Sequence, residues 1–127
     1  MPAIHFDTNF LILAVSRGTM EARKTSRWLA SRYQIHVSAV AWTEFQCGPV
    51  SEEAINAAAL LTGKPIAFDA LDAITAAGLF DFGGRRRSST VDCMIAAVAI
   101  RAGAFLATNN RQDFERFVPF GLSLDTP

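Results

Sequence analysis

The stretch Ala3-Ile4-His5-Phe6-Asp7-Thr8-Asn9, with the apolar residues 10–15 behind it, decides the fold. Its first four residues are short, mostly apolar and partly β-branched, the signature of a buried strand. Residues 10–15 carry apolar side chains at helix-compatible spacing. A carboxylate, Asp7, therefore stands where a strand ends and a helix begins. In open α/β sheets, ligands bind at the carboxyl ends of the strands. A simpler role is also open, because Asp7, Thr8 and Asn9 are all good helix N-caps. The functional reading needs other carboxylates to converge on the same place.

Outward from this stretch, the pattern alternates. A helix is predicted over residues 9–15 and a second over 20–33, with Trp28, Leu29 and Ala22 inward and the arginines outward. Residues 34–38 read as a strand through Ile35 and Val37. Ser38 then caps a helix over Ala39–Cys47, stopped by Gly48-Pro49. Ser51 opens an alanine-rich helix that ends at Gly63. Residues 65–68 read as a strand, and Asp69 caps a helix running to Phe82. A loop leads to Arg85, Arg86 and Arg87, then to a helix over residues 88–101 with Gly103 at its end. Residues 104–107 form a strand and 108–113 a polar loop. A short helix at 114–117 and a weak strand within 119–124 close the chain. This alternation predicts an α/β fold: a parallel sheet of four to five strands, covered by helices on both faces.

With 127 residues, half of them hydrophobic, the chain is expected to form one folded domain over 1–127. No apolar run is long enough to span a bilayer, and the start lacks the pattern of a signal peptide. A cytoplasmic protein with no membrane partner is expected. Cys47 and Cys93 have no metal-ligand spacing, so both are expected to be reduced and buried. Net charge is zero, which gives no support for a nucleic-acid partner, yet the charges are uneven. Arg17, Arg23, Lys24, Arg27 and Arg32 face only Glu21 early in the chain. Glu44, Glu52, Glu53, Asp69, Asp72 and Asp81 face only Lys64 in the middle. Arg85–Arg87 is then a basic run. Such blocks create local fields that the total hides, although solvated helix faces account for most of them.

Three further acids are candidates. Asp92, in Ser89-Thr90-Val91-Asp92, sits in the first turn of a helix, close to a capping box with Asp in place of Glu. It is either a stabilising acid at the helix dipole or a carboxylate at the mouth of the sheet. Glu44 lies among Val40, Ala41, Trp42, Phe45 and Cys47. In a helix that apolar, an unpaired Glu is costly, which raises its standing as a functional acid. Asp113 follows a strand through Thr108-Asn109-Asn110-Arg111-Gln112, or else caps the helix at Phe114. Clustered carboxylates repel, and a hard divalent cation, Mg²⁺ or Mn²⁺, relieves them. His5 and His36 stand alone as strand residues, so zinc is not indicated.

Four segments in order then carry a resemblance. They are Asp7-Thr8-Asn9 after the first strand; Glu44-Phe45-Gln46-Cys47-Gly48; Asp92-Cys93-Met94-Ile95-Ala96-Ala97; and Thr108-Asn109-Asn110-Arg111-Gln112-Asp113-Phe114. Over nearly the whole chain the sequence resembles a PIN domain, and within that family the VapC-type toxin ribonucleases of bacterial toxin–antitoxin pairs. The resemblance implies a twisted parallel sheet flanked by helices, a Mg²⁺- or Mn²⁺-dependent ribonuclease, a homodimer and inhibition by a cognate antitoxin. By matching motif, Asp7, Glu44 and Asp92 take the three core acidic positions, as catalytic groups and metal ligands. Relatives often carry an acid at the place of Asn110, so Asp113 or Asn110 fills the fourth. Thr8, Asn9 and Thr108 match supporting polar residues.

The expected reaction is hydrolysis of an RNA phosphodiester, with Arg85, Arg86 and Arg87 or the early basic helix on the RNA backbone. Two other readings stay open. One is a non-catalytic RNA- or protein-binding module of the same fold. The other is an aspartyl phosphatase of the haloacid dehalogenase type, with Asp7 as nucleophile, which would want an acid in place of Asn9.

Overall fold

A computed structural model describes residues 3–86 and 89–127. Strand β1, Ala3–Phe6, is the middle of a parallel sheet ordered β2-β1-β3. Side chains alternate across a sheet, and here both sets are covered: Ile4 and Phe6 on one face and His5 on the other are all buried. Strand β2, Gln34–Val37, pairs with β1 from Ala3↔Gln34 to Phe6↔Val37. Strand β3, Phe105–Ala107, pairs from Ile4↔Phe105 to Phe6↔Ala107.

The two outer strands expected at 65–68 and 119–124 shrink to one parallel bridge each, Ser38↔Ile66 and Phe105↔Ser123. Pro65 has no N–H to donate to a ladder. At the other edge a 3₁₀ helix, Glu115–Phe120, takes up Pro119 and Phe120, the start of the expected strand. The sheet thus has three strands, continued by a single bridge on each side.

Seven α-helices are present among the described residues: α1 Thr8–Ala14, α2 Met20–Ala30, α3 Ala39–Cys47, α4 Glu52–Thr62, α5 Ala70–Phe82, α6 Thr90–Ala102 and α7 Arg111–Phe114. Side-chain oxygens of Asp7, Thr19, Ser38, Ser51 and Asp69 cap the first five, each accepting a backbone N–H three residues on. Each such cap is worth about 1 kcal/mol. Helix α2 ends earlier than expected because Arg32 turns the backbone into the left-handed region at φ 66°.

Phe6 points toward α1 and α2, where its ring lies 4.7 Å from Phe10 and 6.1 Å from Trp28. Across the sheet, the small side chains Ala96, Ala97 and Ala99 let α6 bury deeply. No described helix is long and apolar enough to cross a membrane.

Several local expectations need correction. Leu29 is 47% exposed, and Thr25 joins Trp28 as the buried face of α2. Cys47 is exposed, while Cys93 is buried and free. The helix expected at 114–117 is split between α7 and the 3₁₀ helix, and Asn110, not Asp113, holds the N-cap position of α7. Ser89 and Asp92 form no capping box: Ser89 Oγ donates to Arg86 O at 2.6 Å, and α6 has no side-chain cap. A capping box forms instead at Asp69 and Asp72. Arg87, one of the three arginines proposed to contact RNA, and Ser88, the expected start of α6, lie outside the described residues.

Candidate active site

Three elements bring carboxylates to the carboxyl end of the sheet. Asp7 follows β1. Its backbone N–H donates to Ala107 O at 3.2 Å, which locks the ends of β1 and β3 together. Its Oδ1 accepts the Phe10 N–H at 2.8 Å as the cap of α1. Its Oδ2 accepts the Thr108 hydroxyl. Capping and facing the site are therefore compatible, because each carboxylate oxygen keeps a second lone pair. Burial raises the Asp7 pKa, the bonds from Thr108 and Phe10 oppose that, and the charge of Glu44 adds to it.

Glu44 reaches the site from α3. The side chain is exposed, not buried as its apolar neighbours suggested. What holds it is Thr8, whose hydroxyl donates to Glu44 Oε1 at 2.5 Å. Asp92 comes from the first turn of α6. Burial, then the charges of Asp113, Glu44 and Asp7, push its pKa up to about 6, against a smaller pull from Arg116.

Asp7, Thr8, Asn9, Glu44, Asp92, Ile95 and Asn110 line one cavity of 130 Å³. Asp113 is not among them. It lines an adjoining 50 Å³ cavity with Arg86, Ser89, Asp92 and Arg116, so Asp92 is the wall between the two. The polar loop links them: Thr108 Oγ1 accepts the Asn110 N–H at 2.9 Å, and Asn110 Nδ2 donates to Asp113 Oδ2 at 2.6 Å. At the rim, Asn109 Nδ2 donates to Glu21 Oε2 at 2.8 Å and ties the loop to α2.

Of the basic candidates, Arg85, just past the end of α5, is committed to that helix, paired with Asp81 and lying over the Phe80 ring at 5.6 Å. Arg86 lines the smaller cavity. Arg116 does too, and no sequence signal marks it: in Glu115-Arg116-Phe117 it reads as an ordinary surface arginine. A larger cavity, 410 Å³ among Lys24, Arg27, Trp28, Ser31, Tyr33 and the last two residues, holds none of the four candidate acids.

The donor set suits a hard cation. All candidate ligands are carboxylate or amide oxygens, and their mutual repulsion adds to burial in raising the pKa of Asp92. Among the described residues, no three His, Cys, Asp or Glu side chains already form a closed metal clasp. Mg²⁺ does not need one, since it is commonly held by one or two carboxylates and keeps several waters. The residues fit a hydrated Mg²⁺ or Mn²⁺.

Comparison with known proteins follows the same lines. The family model of the PIN domain matches residues 4–118. A chain of VapBC2 from Rickettsia felis, bound to a fragment of promoter DNA, superposes with a TM-score of 0.73 at 22% identity, covering 90% of this chain and 92% of that one. FitAcB from Neisseria gonorrhoeae gives 0.71 at 19% identity, over 94% of each chain. DNA-bound VapBC from Salmonella typhimurium gives 0.70 at 23% identity, over 97% of this chain and 96% of that one. At these identities the solved structures speak for the fold. No curated protein sequence matches the chain. The family match spans both strands and helices that carry the candidate acids, and the chain belongs to the PIN-domain family.

Proposed function

We propose that this protein is a metal-dependent endoribonuclease of the VapC type, the toxin of a toxin–antitoxin pair. The observation that carries the reading is the meeting of Asp7, Glu44 and Asp92, from three separate elements, on one small polar cavity at the carboxyl end of the sheet. Asp7 and Asp92 would hold Mg²⁺ or Mn²⁺, with Asp113 or Asn110 as the fourth group. When bound, the cation supplies positive charge to a phosphate and acidifies a water. Glu44, fixed by Thr8, is placed to accept a proton from water or to hold a hydrated ion. Thr108 keeps the Asp7 carboxylate oriented and opposes the rise that burial imposes on its pKa. Asn9 and Asn110 offer amide groups to a sugar or phosphate, and Ile95 gives the cavity an apolar wall.

A phosphatase using Asp7 as nucleophile fits less well. Asn9, in the place where such an enzyme wants an acid, lines the same cavity as Asp7. The similar solved chains come from VapBC and FitAB complexes. That supports an antitoxin partner, whose tail would enter the acidic cavity with an Arg or Lys as counter-charge. A second copy of this chain is the other proposed partner. Phe68 and Met94 lie where two apolar cavities of 330 Å³ meet between α3, α5 and α6, a surface suited to self-association.

The test is incubation of the purified protein with total RNA in Mn²⁺, beside EDTA and Asp7→Asn controls. Metal-dependent cleavage, lost in both controls, is expected. RNA left intact by the wild type with Mn²⁺, or cut equally by Asp7→Asn, overturns the reading. Undiminished Mn²⁺ affinity in the complex with the antitoxin would exclude occlusion by its tail.

A further inference from the structure

The acidic cavity accounts for Asp7, Glu44 and Asp92 but not for the arginine behind them. Arg116 lies in the 3₁₀ helix, three residues past Asp113. Nε and both terminal nitrogens of its guanidinium are sealed from solvent, and none has a hydrogen-bond partner among the described residues. The guanidinium sits over the Phe117 ring at 4.7 Å, which offsets only part of the cost of burying a cation.

The fold leaves room for this side chain. A Cβ at Gly83 would stand 3.5 Å from Arg116 Nε, 3.6 Å from its Cδ and 3.2 Å from Leu79 O. A larger residue there would press on the guanidinium. Arg116 also lines the 50 Å³ cavity beside the acidic one, where Arg86 offers further donors and Asp92 and Asp113 oppose them. A single water needs roughly 10–15 Å³ of such space. The cavity therefore has room for the oxygens of one phosphate but not for a base. Arginine's planar fork of donors matches a phosphate in charge and geometry.

We propose that Arg116, assisted by Arg86, binds a phosphate of the RNA strand on the far side of Asp92 from Asp7 and Glu44. A phosphate seated there would span from the arginines to the Asp92 wall. It would fix the register of the strand relative to the acidic cavity. Arg116 is then a substrate-positioning residue, and its unmet hydrogen bonds are completed only in the complex, when the guanidinium turns from the Phe117 ring toward the cavity. The nature of the ligand rests on the nuclease reading above.

The experiment measures binding, so that it does not depend on cleavage. A fluorescent single-stranded RNA oligonucleotide is titrated into the Asp7→Asn protein in EDTA, at several salt concentrations. Arg116→Ala, Arg116→Lys and Arg86→Ala are compared in that background. Arg116→Ala is expected to weaken binding about 10-fold or more, since a lost bond to a charged group is worth at least that. Its salt slope should be shallower by about 0.7, one phosphate contact on a single strand. Millimolar guanidinium should restore part of the affinity, and Arg116→Lys should fall in between. Arg86→Ala alters an exposed side chain and should show a smaller loss with its own change of slope; it keeps the proposal testable if Arg116→Ala does not fold. Unchanged affinity and slope in Arg116→Ala and Arg86→Ala overturn the proposal. So does a loss in Arg116→Ala that comes with a lower melting temperature, an unchanged slope and no rescue, which is the mark of a structural role. The nuclease reading fails separately, if wild type binds this RNA but never cleaves RNA with Mn²⁺.

Discussion

The Thr108 hydroxyl donates to the Asp7 carboxylate although 101 residues separate them. The same oxygen accepts the Asn110 N–H, so one threonine orients the acid after β1 and shapes the loop after β3. Burial drives the Asp7 pKa upward and this bond restrains it. Thr108→Val keeps the shape and deletes the bond. Metal affinity and RNA cleavage should each fall about 10–100-fold, as for other groups that orient metal ligands. Thr108→Ser should retain most of both. Mn²⁺ titration of the three proteins checks this; equal affinities would remove Thr108 as the support of a metal-binding Asp7.

Burial and, after it, the neighbouring carboxylates set a cost on ionising Asp92. Asp92 ionises in the folded protein only at about pH 6, against 3.8 ordinarily. A carboxyl with a raised folded pKa contributes stability below its unfolded pKa and loses it as pH rises through the folded one. At neutral pH without metal, that stability is gone. Asp7→Asn removes one of the repelling charges, and Asn can still cap α1 at Phe10. In EDTA this variant should melt at or above wild type, yet gain much less from millimolar Mn²⁺, because only a cation that binds the folded site raises its melting temperature. Paired thermal melts decide the matter. Equal metal-induced shifts would take Asp7 out of the metal site.

These two cases show what a sequence can disclose about such a site. Asp7 was legible because a strand end and a helix start are local patterns. The parallel strands β1, β2 and β3 followed from the same alternation, while their order β2-β1-β3 is set by contacts distant in sequence. Glu44 was singled out for burial among apolar neighbours, yet it is exposed, and it is the hydroxyl of Thr8, 36 residues away, that holds it. The Ser89–Asp92 spacing resembled a capping box, but Ser89 turns back to Arg86 and leaves the motif unformed. Asp113 and Asp92 end in one cavity and Asp92 and Asp7 in another, a division that no spacing encodes. Arg116 left no trace, since its meaning comes from Gly83 and Asp92, both distant in sequence.

Self-association should depend on the apolar surface between α3, α5 and α6. Ala77 lines it and is exposed on α5. Ala77→Glu places a charge at that surface while altering no buried residue, so the fold should persist. Light scattering at micromolar concentration should give a dimer for wild type and a monomer for the variant, with unchanged circular dichroism. A wild-type monomer, or a variant that stays dimeric, would exclude this face as the interface.

The last prediction concerns the opposite face of the sheet. His5 is 2% exposed, and neither ring nitrogen has a hydrogen-bond partner among the described residues. Its ring lies 6.1 Å from that of His36, across the β1–β2 pairing. Burial, then the charges of His36 and Arg101, lower its pKa from 6.5 to about 4. The sign follows from proton counting: between these values the unfolded chain binds a proton that the folded chain refuses. Stability is therefore intact above pH 6.5 and is lost as pH falls toward 4. The loss from this residue is about 2 kcal/mol between pH 7 and pH 5, at 1.4 kcal/mol per pKa unit. Asp92 acts in the reverse sense over part of the same range, so wild type alone does not isolate the effect. His5→Leu does, because it deletes the titrating ring and leaves the cavity at Asp92 untouched. Leucine also buries no unpaired nitrogen, so the variant should match or exceed wild-type stability at pH 7. Urea unfolding of both proteins at pH 7 and pH 5 gives the comparison. The variant should lose about 2 kcal/mol less than wild type over that interval. Equal losses would mean that His5 accepts its proton inside the folded core, and that its burial is not what sets the acid limit of the fold.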